Sequence, residues 1–295
     1  MRLAAIDIGS NAARLLITDV SPGDDGVPAF NKINLVRVPL RLGFDVFEKG
    51  MISKEKTGMV LQTMKAYKHL MNAYEVEDLK ACATSAMRDA SNSADILRKI
   101  KMETGIEIKI ISGSEEASLI QESHIAETLE QGGSYLYIDV GGGSTELTMF
   151  SKGKLSFKQS FNIGTIRLLK QMITEADWAE MKEFLKKNTK NLSNVVAIGS
   201  GGNINKIFSL SKKKDGKPLP IELLRDYYKE LNNVSLADRI NKYKLREDRA
   251  DVIVPALMIY INVMRWAEAE EIYVPKIGLA DGLIQSLYYE LVPNK

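Results

Sequence analysis

Apolar residues come in short runs separated by Gly, Asn and Asp, and the runs fall twice into the same order. Residues 2–8, 14–20 and 33–41 are rich in Ile, Leu and Val between turn signals, and predict three successive strands. From Ser53 to Tyr74 the spacing becomes helical, carried by Met59, Val60, Met64, Tyr67, Leu70 and Met71, and 78–84 predicts the next strand, giving a βββαβ unit. A helix over 93–105 closed by Gly105, a strand over 106–112 and a helix over 114–130 follow. The order then restarts with strands over 134–140, 145–150 and 154–161. Helices over 165–172 and 175–188 come next, with Thr174 and Asp177 at capping-box spacing, and a strand over 194–202 feeds a glycine turn. A polar, mostly helical stretch covers 211–250. An apolar helix over 249–268, interrupted or begun at Pro255, a short strand over 271–275 and a helix over 280–291 complete the pattern. Two copies of one supersecondary unit predict a duplicated α/β architecture with a cleft between the halves. The expected domains are 1–125, completed by a C-terminal helix over 281–295, and 126–280.

Composition narrows the class without changing this picture. With 45% apolar and 26% charged residues among 295, the chain reads as an ordinary globular protein, and its longest apolar runs fall far short of a membrane span. Met1-Arg2 leads directly into a strand, so the expected compartment is the cytoplasm. Cys82, the single cysteine, sits in "LKACAT" as a structural thiol. A net charge of +2 gives no broad field for a polyanion, so neither nucleic acid nor membrane is expected as a partner and phosphate binding must be local. Lysines gather at 186–190 and 211–217, as solvated loops or as the border of a groove for a long anion.

The chemistry concentrates at two turns. "AAIDIGSNAARLLI" and "YIDVGGGSTELTMF" each end an apolar strand on an aspartate, Asp7 or Asp139, and turn through glycine into a second strand. Backbone N–H groups of such a turn form an anion nest, and glycine lets a phosphate approach closely. Gly9, Gly141, Gly142 and Gly143 shape the two nests, while Ser10, Asn11, Ser144 and Thr145 add neutral donors. Asp7 and Asp139 would repel phosphate unless they hold Mg²⁺ or water, so a divalent ion is implied. One "GGGST" could be a flexible hairpin, but a hairpin has no need of Asp at the same strand end in both copies. A third loop, "GSGGNINK", with Gly201 and Gly202, lacks the Gly-Lys-Ser/Thr of a Walker A loop and can still be a nest at a helix start.

Read in order, "AAIDIGSN", "RLGFDV" (41–46), "ATSAMRDA" (83–90), "IISGSEEASLI" (110–120), "YIDVGGGSTEL" (137–147), "NIGTIRLL" (162–169), "GSGGN" (199–203), "RADVIVPAL" (249–257) and "VPKIGLADGLI" (274–284) resemble the signature blocks of the exopolyphosphatase/guanosine pentaphosphatase (Ppx/GppA) family. The resemblance spans nearly the whole chain. It implies two duplicated actin/hexokinase/Hsp70-like (ribonuclease H-like) domains and Mg²⁺- or Mn²⁺-dependent hydrolysis of a terminal phosphoanhydride. The substrate implied is inorganic polyphosphate or guanosine pentaphosphate (pppGpp), and a homodimer is left open.

The family's catalytic glutamate falls on Glu116, with Glu115 as its neighbour. Ser112 and Glu115 also have capping-box spacing, which accounts for Glu115 and only partly for Glu116. By the same resemblance Glu146 is a second cleft carboxylate that joins Asp139, and Asp7, around the metal, and Arg88 clamps the terminal phosphoryl. A surface pair of Arg88 with Asp89 or Asp95 is the alternative. Arg167 and Arg249 occupy further family positions. The sequence departs from the family's usual pattern at Ala12, Asn203 and Ala280-Asp281. Longer members add a helical C-terminal domain resembling HD phosphohydrolases; with only His69 and His124 in the sequence, no His-rich metal site is expected. Two competing readings are an ATP-dependent sugar or acetate kinase and a non-catalytic sensor of polyphosphate or nucleotide.

Overall fold

The computed structural model describes residues 1–23, 27–121 and 133–292. The chain divides into two compact units, Met1–Ser123 with Gly278–Lys295, and His124–Ile277.

The first unit opens on an antiparallel meander of β1 (Arg2–Ile8), β2 (Ala13–Ser21) and β3 (Ala29–Val38). Helices α1 (Leu42–Lys49) and α2 (Lys54–Ala73) carry the chain over to β4 (Asp78–Ala83), which returns parallel to β1. A parallel partner requires such a crossover. α3 (Ser85–Asp89), α4 (Ser93–Thr104), β5 (Lys109–Ile110) and α5 (Gly113–Gln121) follow, and the sheet order is β3-β2-β1-β4-β5. Ser53 starts α2 by accepting the Lys56 N–H at 3.3 Å. Gly105 ends α4 at φ 73°, a left-handed conformation that costs glycine little.

The second unit repeats the plan. β6 (Ser134–Val140), β7 (Thr145–Ser151) and β8 (Lys154–Phe161) form the meander; α6 (Thr165–Leu169) and α7 (Glu175–Thr189) cross to β9 (Val195–Ser200), parallel to β6. Then come α8 (Gly202–Ser211), β10 (Leu219–Pro220), α9 (Ile221–Asn232), α10 (Leu236–Tyr243), α11 (Glu247–Ala250), α12 (Ile253–Trp266) and β11 (Glu271–Tyr273). The order β8-β7-β6-β9-β11-β10 matches the first sheet strand for strand, with β10 added at the edge. α12 forms the spine of this core, burying Ile253, Leu257, Ile259, Tyr260 and Val263 with Leu136, Ile138 and Ala197. The last helix, α13 (Leu279–Leu291), belongs to the first unit, where Leu279, Leu283, Ile284 and Leu287 pack with Leu3, Ala5 and Leu16. No helix among the described residues is long and apolar enough to cross a membrane.

Several expected boundaries move. β3 runs over 29–38 rather than 33–41: it pairs back to β2 as far as Ser21↔Ala29, and Pro39, which lacks an N–H, follows its end. The strand expected over 106–112 shrinks to Lys109–Ile110: Ile106 and Ile108 are buried ahead of the β4 pairing, and Ile111 follows it with its N–H on the Ala83 carbonyl at 3.0 Å. α1 and α3 were not anticipated. α1 starts from Arg41 in a left-handed conformation with no side-chain cap, so no N-terminal signal marks it. The helix expected over 165–172 stops at Leu169. α12 begins before Pro255 and is not interrupted by it, since proline in a first turn removes an N–H that has no helical partner. The distal part of the helix expected over 114–130 lies outside the described residues.

Candidate active site

The two Asp-Gly turns have the same internal wiring. Gly9 N–H donates to the Ala12 carbonyl at 3.0 Å, and Gly141 N–H to the Ser144 carbonyl at 2.9 Å. Both glycines therefore close their own turns and supply shape rather than a free donor. In the second unit Thr165 N–H holds the Gly141 carbonyl at 3.0 Å, Ile166 N–H holds Gly142 at 2.8 Å, and Arg167 Nε holds Gly143 at 2.9 Å. Carbonyl and N–H point in opposite directions across a trans peptide, so the N–H groups of Gly142, Gly143 and Ser144 face away from α6, as a nest requires. In the first unit Gly43 N–H and Arg41 N–H hold the carbonyls of Ser10 (2.8 Å) and Asn11 (2.9 Å), which turns the N–H groups of Asn11 and Ala12 outward in the same way. Gly164 is pressed against this wiring: a Cβ there would lie 2.4 Å from the Gly142 carbonyl oxygen.

The hydroxyls divide. Thr145 is fully buried and donates to the Ile163 carbonyl at 2.5 Å, serving the turn. The Ser10 and Ser85 hydroxyls lie 2.8 Å apart and share a hydrogen bond. Ser144, which follows the glycines of the second turn, is buried. Gly201 precedes α8 at φ 106°, a region that favours glycine, and Gly202 is the first residue of that helix.

At the strand-end aspartates the two copies differ in charge. Asp7 stands opposite Arg14 in the β1–β2 ladder, and the guanidinium binds its carboxylate directly. Asp139 stands opposite Glu146 in the equivalent β6–β7 ladder. Their carboxylate oxygens come within 4.8 Å of one another. Glu146 in turn faces Ser160 on β8, whose hydroxyl donates to Oε1 at 2.8 Å, and Asp139 faces Ser200 on β9, whose hydroxyl donates to Oδ1 at 2.8 Å. Directly opposed residues share a face of the sheet, so Ser160, Glu146, Asp139 and Ser200 form one row. Two carboxylates so close, Glu146 buried and Asp139 half-buried, repel each other, and a divalent cation or a shared proton relieves the repulsion.

α5 carries the remaining acids. Ser112 and Glu115 form the full capping box: Glu115 accepts the Ser112 N–H at 2.8 Å, and Glu115 N–H donates to the Ser112 hydroxyl at 3.1 Å. Lys109 also donates to Glu115 at 2.8 Å, and these contacts, the ammonium first, lower its carboxyl to about 2. Glu116 is buried, 8% exposed, and its backbone N–H closes the first turn on the Ser112 carbonyl at 3.0 Å. Burial first, then the charges of Asp7 and Glu116, push the Cys82 thiol well above its usual range, which puts both acids within electrostatic reach of the end of β4. Arg88 extends from α3 and donates through Nη1 to the Ile111 carbonyl at 2.9 Å, bracing the chain just ahead of α5. Asp95, one alternative partner, pairs instead with Arg98.

Sequence reasoning did not single out Arg14, Ser85, Ser160, Ser200 or Tyr260, whose hydroxyl donates to the Ser200 carbonyl. One signal was available: both hairpins have the same length, so the residue facing each aspartate could be read from register as Arg14 and Glu146.

Residues 20–290 match the Ppx/GppA phosphatase family. A bifunctional 3-dehydroquinate synthase/phosphatase from Fusobacterium nucleatum is 29% identical, over 88% of this chain and 43% of that protein, so the chain spans less than half of it. Exopolyphosphatase 1 of Mycobacterium tuberculosis is 25% identical over 96% of this chain and 87% of its own length. The crystal structure of an exopolyphosphatase from Cytophaga hutchinsonii superposes with a TM-score of 0.83 at 26% identity, covering 100% of this chain and 99% of that one.

Proposed function

Because the chain belongs to the Ppx/GppA phosphatase family, and is with it a phosphoanhydride hydrolase of actin-like fold, we propose that it is an exopolyphosphatase of the cytoplasm, releasing the terminal phosphate of inorganic polyphosphate with Mg²⁺ or Mn²⁺. The observation that carries the reading is the hydroxyl-flanked carboxylate pair of Asp139 and Glu146, a donor set of hard oxygens that suits such a cation. Asp7, with its charge met by Arg14, is the weaker candidate ligand. When bound, a divalent cation neutralises phosphate oxygens and steadies the charge that develops as the anhydride breaks.

The chain's own residues supply the rest. The outward N–H groups of Gly142, Gly143 and Ser144, with those of Asn11 and Ala12, bind phosphate oxygens. Arg88, with one of its five N–H donors on Ile111, has others for the terminal phosphoryl. Glu116 accepts the proton of the attacking water; Glu115, held by Lys109 and Ser112, keeps the helix that carries the base in place.

Phosphate release with Mg²⁺, measured side by side on polyphosphate of several lengths, guanosine pentaphosphate and ATP, tests the reading. Polyphosphate is expected to turn over fastest. Preference for guanosine pentaphosphate would reassign the substrate within the same chemistry. Turnover of ATP only when a sugar or acid acceptor is added would make the protein a kinase, and full turnover after exhaustive chelation would remove the cation.

A further inference from the structure

Tyr260 is a polar residue in the middle of an apolar helix, and its burial is all but complete. Packing alone has no use for its hydroxyl, since an apolar ring would fill the same space without the cost of desolvating an O–H group. That hydroxyl donates to the carbonyl oxygen of Ser200, the last residue of β9, and the Ser200 hydroxyl donates to Asp139 Oδ1 at 2.8 Å. Burial first, then the nearby Asp139 charge, pushes the phenol well above its usual range. Gly201, next along the chain, sits between the two groups: a Cβ there would stand 3.2 Å from Asp139 Oδ1 and 3.8 Å from the Tyr260 hydroxyl.

We propose that Tyr260 is a positioning residue that fixes the Ser200–Gly201 turn from below, so that the Ser200 hydroxyl holds the Asp139 carboxylate in the orientation a divalent cation needs. The path runs from the core of the second unit to the site through two hydrogen bonds. Hydroxyls behind a metal-binding carboxylate act this way in general, and their loss costs roughly 10–100-fold in metal affinity. The inference rests on the cation reading above.

The test is Mn²⁺ binding to the full chain without substrate, followed by calorimetry and by the spin resonance of free Mn²⁺. Tyr260→Phe and Ser200→Ala are each expected to weaken binding about tenfold. Ser200→Thr, which keeps the hydroxyl, should bind like the parent. The double variant should be no weaker than Ser200→Ala alone, because both changes cut one path. Tyr260→Phe with unchanged Mn²⁺ affinity and only a lower thermal midpoint would overturn the proposal, as would losses that multiply in the double variant. If Tyr260→Phe does not fold, the Ser200→Ala and Ser200→Thr pair carries the test: weaker binding in the first with retention in the second is expected, and equal affinity in the two overturns the proposal. Asp139→Asn separates the two levels: if it leaves binding intact, the cation reading itself falls, whereas loss there with intact binding in the Tyr260 and Ser200 variants defeats only the positioning role.

Discussion

Glu115 spends its carboxylate on the Ser112 N–H and the Lys109 ammonium, while Glu116, one residue on, is buried near the end of β4. Replacing each by glutamine should therefore give different losses. Glu116→Gln is expected to lower kcat by about 10²–10⁴-fold with KM nearly unchanged, the usual contribution of a general base. Glu115→Gln should leave turnover close to the parent and appear instead in acid stability. Its carboxyl titrates at about 2 in the fold against an ordinary 4.5, so its ionised form stabilises the fold above pH 4.5, and that stabilisation fades as the pH falls toward 2. Thermal midpoints of parent and variant should differ at neutral pH and converge near pH 2. A reversed pattern in turnover would move the base to Glu115. The Ser112–Glu115 spacing was legible in the sequence because the box is local. Glu116's burial was not, because it depends on how α5 packs in the folded unit, where α13, far away in sequence, lies against it, and the Arg14 contact to Asp7 was legible only through hairpin register.

A repeated hairpin makes the element scale the most readable one. Period-two apolar runs and glycine turns marked β1, β2, β6 and β7 closely, and Thr174 with Asp177 marked the start of α7, where both capping bonds form. What failed had no local signal: α1 begins without a side-chain cap, and Ile106 and Ile108 look like a strand because burial, not pairing, set their character. Nor could spacing reveal that α6 holds the carbonyls of the glycine turn, since those bonds join segments more than a strand apart. Gly164→Ala tests that link. Its φ of −135° suits alanine, so the expected fault is purely steric, the new Cβ pushing on Gly142. With the nest displaced by about 1 Å, kcat/KM should fall roughly 10²-fold while far-ultraviolet circular dichroism stays the same. Unchanged kinetics would mean that the turn is not in the binding machinery.

Across the whole molecule, duplication supplied two equivalent frames and divergence gave them different charge: Arg14 neutralises Asp7 in one, while Glu146 adds its charge to that of Asp139 in the other. Only the second frame is left with acidic charge for a cation to meet. The sequence showed the frames but not this division, which needs the register of both ladders. Reach along a polymer belongs to the same scale. Lys212, Lys213 and Lys214 are exposed at the end of α8, where Lys213 also donates to the Pro218 carbonyl at 3.2 Å. Replacing the three together should raise KM for long polyphosphate more than for short, and should flatten the dependence on salt. An equal loss at every chain length would place them near the chemistry or the fold instead.

The return of α13 to the first unit also sets an order in time. Residues 279–291 complete a core begun by Leu3, Ala5 and Leu16, yet a ribosome makes them only after all of His124–Ile277. At about 5–20 residues per second, the earlier strands wait on the order of ten seconds for their cover. The half of the protein that is synthesised first is thus the half that matures last. During that interval its bare apolar face is what a nascent-chain chaperone would meet.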